Sequence, residues 1–145
     1  IRRNYSNSAR IGPGTKRIIC CQSLTKYICG HGDAIGGAVS GRGSELVKLR
    51  SLAIHMGGVL SPFNAWLILR GAATLPIRMA AHQEGALAIA RHLEKHPQIT
   101  KVVYPGLPSH PQYELATRQL HNFSGMLTFQ VGDGPAAARL LSARL

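Results

Sequence analysis

At 145 residues the chain is long enough for one ordinary domain and its core, and a hydrophobic content of 45% with a mean hydropathy of +0.01 excludes a disordered tail. Arg70 and Arg78 interrupt the most apolar region, so no run reaches membrane-spanning length and no membrane partner is expected. Seventeen Lys and Arg against six Asp and Glu give a formal charge of +11, which raises nucleic-acid binding. Against it, the basic residues are scattered beyond Arg2, Arg3, Arg10, Lys16 and Arg17, and the four Tyr and three Phe show no interleaved stacking pattern. Ile1-Arg2-Arg3 opens no signal core, and Cys20, Cys21 and Cys29 have neither disulfide-framework nor zinc-ribbon spacing, so a cytoplasmic location is expected.

In chain order, residues 1–17 are polar, carry Gly12-Pro13-Gly14 and show no period, which predicts irregular structure. The apolar run Ile18 to Cys21 predicts a short buried strand, with Ser23 to Asp33 as the loop leaving its carboxyl end, where ligands sit in open α/β sheets. Ala34 to Val39 predicts a second strand, with close backbone approach at Gly36 and Gly37. Ser44 caps a helix whose Leu49, Leu52, Ala53 and Met56 fall at helical spacing, ending at Gly57-Gly58 and packing on the sheet. Ser61-Pro62 signals another helix start, and Phe63 to Leu69, apolar on nearly every face, predicts a buried helix with Trp66 in the core, ended by Arg70-Gly71.

Thr74 caps the longest helix, which tolerates Pro76 in its first turn and stops before Pro97. Leu75, Met79, His82, Ala86, Ile89 and Leu93 form one stripe along it, as in a helix linking two domains, and His82 belongs to a core or interface. His92 and His96 have metal-ligand spacing but no third ligand in register, so no metal site is expected. Beyond Pro97 come a strand over 99–104, a helix over 111–120, a strand over 125–131 with Leu127, Phe129 and Val131 on one side, a turn at Gly132-Asp133-Gly134, and a last helix from Pro135 to Leu145.

The chemistry concentrates at Ser23-Leu24-Thr25-Lys26-Tyr27. A lysine amine with a lowered pKa attacks carbonyls and holds an aldehyde cofactor as an imine. Ser23 and Thr25, at alternate positions, put two hydroxyls on one side of an extended segment beside Lys26, which suits a phosphate. An aldehyde and a phosphate on one ring describe pyridoxal phosphate. Composition alone leaves a second reading open, a solvated loop lysine beside turn-forming Ser and Thr.

Ser23 to Tyr27 followed by Gly30-His31-Gly32-Asp33 resembles the cofactor-lysine segment of the Cys/Met-metabolism group of pyridoxal-phosphate enzymes. That group includes cystathionine γ-synthase, cystathionine γ-lyase, cystathionine β-lyase, methionine γ-lyase and the homoserine-ester sulfhydrylases. Leu60 to Leu67, continuing to Leu69-Arg70-Gly71, Thr74-Leu75-Pro76 and Arg78-Met79, resembles the segment after the family's lysine. Tyr104 to Pro111 resembles a third signature, and the three stand in family order.

The resemblance implies an α/β architecture of the aspartate-aminotransferase-like type, PLP fold type I. Residues 1–17 would be an atypical front, 18–80 a remnant of the PLP-binding large domain, and 81–145 the linking helix with an incomplete carboxyl-terminal domain. It implies Lys26 as the catalytic residue holding pyridoxal 5'-phosphate, Ser23 and Thr25 as phosphate ligands, and turn-building roles for Tyr27, Gly30, His31, Gly32 and Asp33. The implied reactions are carbon–sulfur β- or γ-elimination or γ-replacement in transsulfuration, on cystathionine, methionine or homoserine esters. The γ-lyase and γ-synthase branches fit best, although Asn64 stands where many members have aspartate. A homo-oligomer, a tetramer built of dimers, follows from the same resemblance.

In the family, the aspartate on the pyridine nitrogen, the stacking tyrosine, the glycine-rich phosphate segment and the tyrosine and arginine lent by a neighbouring subunit precede the lysine. The arginine for the substrate carboxylate lies beyond the equivalent of residue 145. The front also departs from the family, with Lys16-Arg17-Ile18 where Gly-Ala-Asp and an apolar strand usually stand. The expectation is therefore an incomplete chain, its front a truncated or frame-shifted reading of a longer gene, with little or no activity alone. The alternative is a catalytically inactive binding or oligomerisation module, drawn to nucleic acid by its charge.

Overall fold

The computed structural model describes residues 19–132, 134, 135 and 139. The irregular front expected over 1–17 lies outside the described residues, as does nearly all of the last helix expected from Pro135. The chain forms two compact units, Ile1–Arg78 and Met79–Leu145. Among the described residues no helix is long and apolar enough to cross a membrane.

In the first unit, β1 (Cys20–Ser23) pairs antiparallel with β2 (Gly37–Ser40) in the register Cys20↔Ser40 to Ser23↔Gly37. Half-buried and exposed residues alternate along β1, so the strand is not buried as Ile18 to Cys21 suggested, and Ser23 is its last residue. A two-stranded ribbon has one covered face at most, whereas a run apolar on both faces signals burial only inside a larger sheet.

The first helix, α1 (Gly43–His55), starts one residue before Ser44, with Arg42 at the cap position and no side-chain cap. It does not pack as expected: none of its residues is buried, and Leu52 is 54% exposed. A ribbon of four residues is about 13 Å long, while a helix of thirteen runs about 20 Å, so the ribbon offers too little surface to cover it.

Next, α2 (Pro62–Ala72) begins as its sequence signals. Ser61 Oγ accepts a hydrogen bond from the Asn64 N–H at 3.2 Å, and Pro62 occupies the first turn without a wasted donor. Only Ile68 and Gly71 are buried. Trp66 is 55% exposed, stacked on Phe63 at 6.0 Å with the Arg70 guanidinium 5.5 Å above its ring, so it is not a core residue. Among the described residues its main neighbour is the turn that follows β1, with Ile68 also beside Gly36, while Phe63, Trp66 and Leu69 stay exposed. Cys29, Ala34 and Ile68 form this unit's core, with Leu24, Ile28 and Leu67 packed against them.

The longest helix, α3 (Leu75–Leu93), opens in the first unit and continues into the second. Its buried residues are Met79, Ala86 and Ala90, while His82 and Ile89 of the expected stripe are exposed. At 100° per residue, Met79, Ala86 and Ala90 lie within about 40° of one another, and His82 and Ile89 sit roughly 60–80° to one side. The stripe therefore had the right period and the wrong centre, which small alanines occupy.

Within the second unit β3 (Ile99–Val103) pairs antiparallel with β4 (Thr128–Val131), in the register Lys101↔Gln130, Val102↔Phe129 and Val103↔Thr128. Leu127, Phe129 and Val131 share the half-buried side, as their alternation predicted. The remaining helix, α4 (Tyr113–Gln119), falls inside the segment expected to be helical. Ala86, Ala90, Tyr104 and Leu107 make the core, with Leu87, Val102, Phe123 and Leu127 against it. Tyr104 is fully buried, and its hydroxyl donates to the Ser124 carbonyl at 2.9 Å.

Candidate cofactor site

The chain leaves β1 at Ser23 and enters a wide turn, Leu24–Ile28, in which the Cys29 N–H donates to the Leu24 carbonyl at 2.9 Å and the Gly30 N–H to the Lys26 carbonyl at 2.7 Å. Lys26 breaks this turn, with φ −86° and ψ −121° outside the helical region. Its side chain is exposed. Ser23 is also exposed, in extended backbone, and its side chain makes no cap bond to the turn. The structure thus presents an amine and a hydroxyl to solvent from one short segment.

Thr25 is placed differently. Its half-buried hydroxyl accepts from the Gly36 N–H at 3.0 Å and donates to the Gly36 carbonyl at 3.3 Å. The Leu24 N–H reaches the same carbonyl at 2.9 Å, so Thr25 and Leu24 tie the turn to the start of β2. A threonine hydroxyl has one proton. For Thr25 to donate to a phosphate, that proton must leave Gly36, the longer of its two bonds.

The turn Gly30 to Asp33 is built as its sequence suggested. Gly30 and Gly32 take φ of 73° and 69°, a region that disfavours a side chain. The buried Cys29 thiol donates to Asp33 Oδ1 at 3.1 Å, Asp33 Oδ2 lies 3.8 Å from Arg70, and His31 Nδ1 donates to the Cys29 carbonyl at 2.7 Å. The thiol bond, aided by His31 and Arg70, holds the Asp33 carboxyl below its usual range. The same bond and then burial push the Cys29 thiol up.

Two residues beside the lysine turn were given no contact or positioning role by sequence reasoning. Arg78 donates from Nη1 to the Tyr27 carbonyl at 2.8 Å, from Nη2 to the Gly71 carbonyl at 2.9 Å and the Ile28 carbonyl at 3.3 Å, and from Nε to Thr74 Oγ1 at 3.0 Å. The available signal was a cation in the first turn of a helix, where the macrodipole opposes it, so acceptors had to come from elsewhere. Asn64 Nδ2 donates to the Ile35 carbonyl at 3.3 Å, a bond that an ionised aspartate at this position could not make.

The donor set suits a ligand carrying an aldehyde and a phosphate: an exposed primary amine, an exposed hydroxyl, and a second hydroxyl one proton turn away. Among the described residues no group of three or more His, Cys, Asp or Glu could hold a metal ion. Residues 18–145 match the family model described as Cys/Met metabolism PLP-dependent enzyme. The chain belongs to this family. Its members are enzymes whose cofactor is pyridoxal 5'-phosphate, and its fold is PLP fold type I.

The chain is 47% identical over 123 residues to a probable cystathionine gamma-synthase of Herpetosiphon aurantiacus, a match covering 84% of this chain and 39% of that protein. It is 49% identical over 114 residues to the cystathionine gamma-lyase of Dictyostelium discoideum, covering 78% and 30% of the two chains. To the O-succinylhomoserine sulfhydrylase of Pseudomonas aeruginosa it is 49% identical over 120 residues, covering 83% and 30%. Among solved structures, the cystathionine gamma synthase of Xanthomonas oryzae in complex with aminoacrylate and cysteine superposes with a TM-score of 0.79 at 45% identity, over 83% of this chain and 32% of that one. The chain therefore spans between 30% and 39% of the length of these three relatives.

Proposed function

We propose that this chain carries the cofactor lysine of a pyridoxal-phosphate-dependent carbon–sulfur lyase or γ-replacement enzyme of sulfur amino-acid metabolism. Lys26 binds the aldehyde of the cofactor, and Ser23 and Thr25 bind its phosphate. The observation that carries this reading is Lys26 itself: an exposed amine at the non-helical break of a turn whose two ends are tied to β2 and α3. When bound, the cofactor stores electrons released from an amino-acid substrate. With the cofactor held at Lys26, its Nζ would be the group that moves protons at the substrate's α and β carbons.

Cystathionine, methionine and homoserine esters are the substrate class, and the names of the relatives support cystathionine and a homoserine ester among them. The γ-lyase and γ-synthase branches are favoured within it. The whole protein works in the cytoplasm as a homo-oligomer, a tetramer built of dimers. Residues 18–80 belong to its cofactor-binding large domain, and 81–145 to the linking helix and carboxyl-terminal domain.

A pyridoxal-phosphate titration of the purified chain beside Lys26→Ala tests the reading. Saturable imine absorbance in the parent that is lost in the variant supports it. Equal, unsaturable absorbance in both contradicts it and favours a noncatalytic module.

A further inference from the structure

Nothing above assigns a role to Arg78, yet it makes more side-chain hydrogen bonds around the lysine turn than any other described residue. Its guanidinium spans two segments far apart in sequence. One edge holds the carbonyls of Tyr27 and Ile28, the two residues that follow Lys26, and the other holds the Gly71 carbonyl at the end of α2. Thr74 orients the fork, because its hydroxyl accepts from Nε at 3.0 Å while donating to the Gly71 carbonyl at 3.2 Å. Gly30 makes the room: a Cβ there would overlap the guanidinium itself.

These bonds hold carbonyls that the turn leaves to side chains. Lys26 departs from helical geometry, so the Tyr27 and Ile28 carbonyls just beyond it take their donors from Arg78. A cation at the start of α3 gains nothing from the helix dipole, and these carbonyls offset that. A planar fork can reach acceptors on both sides at once, whereas a lysine ammonium is a single point of charge.

We propose that Arg78 is a positioning residue for Lys26, clamping the carbonyls just after it against the end of α2 so that the lysine is presented in one backbone conformation before the cofactor arrives. This rests on the reading of Lys26 as the cofactor lysine. Without the clamp, part of the cofactor's binding energy is spent ordering the turn.

The test uses the parent chain with Arg78→Gln, Arg78→Lys and Thr74→Val, and has two readouts. In the first, pyridoxal phosphate is titrated by imine absorbance. In the second, trypsin cleavage without cofactor is followed by mass spectrometry at the Lys26–Tyr27 bond, with the Arg91–His92 bond inside α3 as internal reference. Arg78→Gln is expected to bind the cofactor roughly tenfold more weakly. Its Lys26–Tyr27 bond should be cleaved roughly tenfold faster while the reference bond is unchanged. Arg78→Lys recovers part of both losses, and Thr74→Val shows a smaller loss of the same kind.

Parent-like binding and cleavage in Arg78→Gln would overturn the proposal, as would an equal acceleration at both bonds, which marks general loosening. If Arg78→Gln does not fold, the same two readings on Arg78→Lys and Thr74→Val decide. Should the parent itself take up no cofactor at Lys26, the functional reading fails, and the protease readout still decides whether Arg78 orders the turn.

Discussion

Gly71 and Gly85 both lie inside helices, and the same substitution is expected to act on them in opposite directions. Replacing a mid-helix glycine by alanine gains about 1 kcal/mol of helix propensity. At Gly85 in α3 nothing lies within 4 Å of the added methyl, so most of that gain survives and Gly85→Ala stabilises by about 0.5–1 kcal/mol. At Gly71, buried in α2, the methyl would overlap the Cys29 carbonyl, and backbone cannot swing aside as a side-chain tip can. Overpacking of this kind costs about 1–3 kcal/mol, and pushing α2 away also stretches the Arg78 bond to the Gly71 carbonyl. Gly71 is the second-last residue of α2, where little of the helix-interior gain applies, so most of that cost remains and Gly71→Ala loses about 1–2 kcal/mol net. Urea unfolding followed by the fluorescence of Trp66, the chain's one tryptophan and a residue of the same helix, reads this directly. With an m-value of about 1–2 kcal/mol/M the midpoint falls by roughly 1 M. A midpoint equal to or above the parent's would refute the close approach of α2 to the turn.

The Cys29–Asp33 bond gives the first unit two pH limbs. Asp33 has a depressed pKa, so its stabilisation is present above the ordinary carboxylate range and is lost as pH falls through the depressed value. Cys29 has a raised pKa, so its contribution is full below the ordinary thiol range and is lost as pH rises through the raised value. Asp33→Asn is expected to remove the acid limb and shrink the alkaline one in melting curves read by Trp66, and an unchanged profile would count against the bond. In the second unit, Tyr104→Phe leaves the Ser124 carbonyl without its buried donor and should cost about 1–2 kcal/mol by circular dichroism; a loss under half of that would mean water replaces the hydroxyl.

Local signals proved most legible. The Ser61-Pro62 start of α2 and the alternation of Leu127, Phe129 and Val131 depend on neighbours a few residues away, and each appears where the sequence put it. The turn glycines Gly30 and Gly32 are equally local, since their positive φ excludes most side chains. Burial was less legible, because it depends on what covers an element. An all-apolar run cannot say which face meets a neighbour, so Trp66 was expected inside and lies half outside. In α3 the alanines Ala86 and Ala90 mark the buried line, but small residues carry a weak hydrophobic signal beside Ile89.

At the proposed site, Lys26 and Ser23 were singled out from residue type and motif. The engagement of Thr25 by Gly36 and the reach of Arg78 to Tyr27 are contacts across eleven and fifty-one positions, which no local pattern encodes. Arg78 stood within a matched motif, yet only the fold reveals what it touches.

The central claim is that Lys26 forms the covalent bond to the cofactor. Borohydride reduction of the chain after saturation with pyridoxal phosphate, followed by peptide mapping, tests it most directly. Stoichiometric label on the peptide containing Lys26, and its disappearance in Lys26→Ala, is the predicted result. Label spread evenly over Lys16, Lys48, Lys95 and Lys101 as well, with no preference for Lys26, would contradict it.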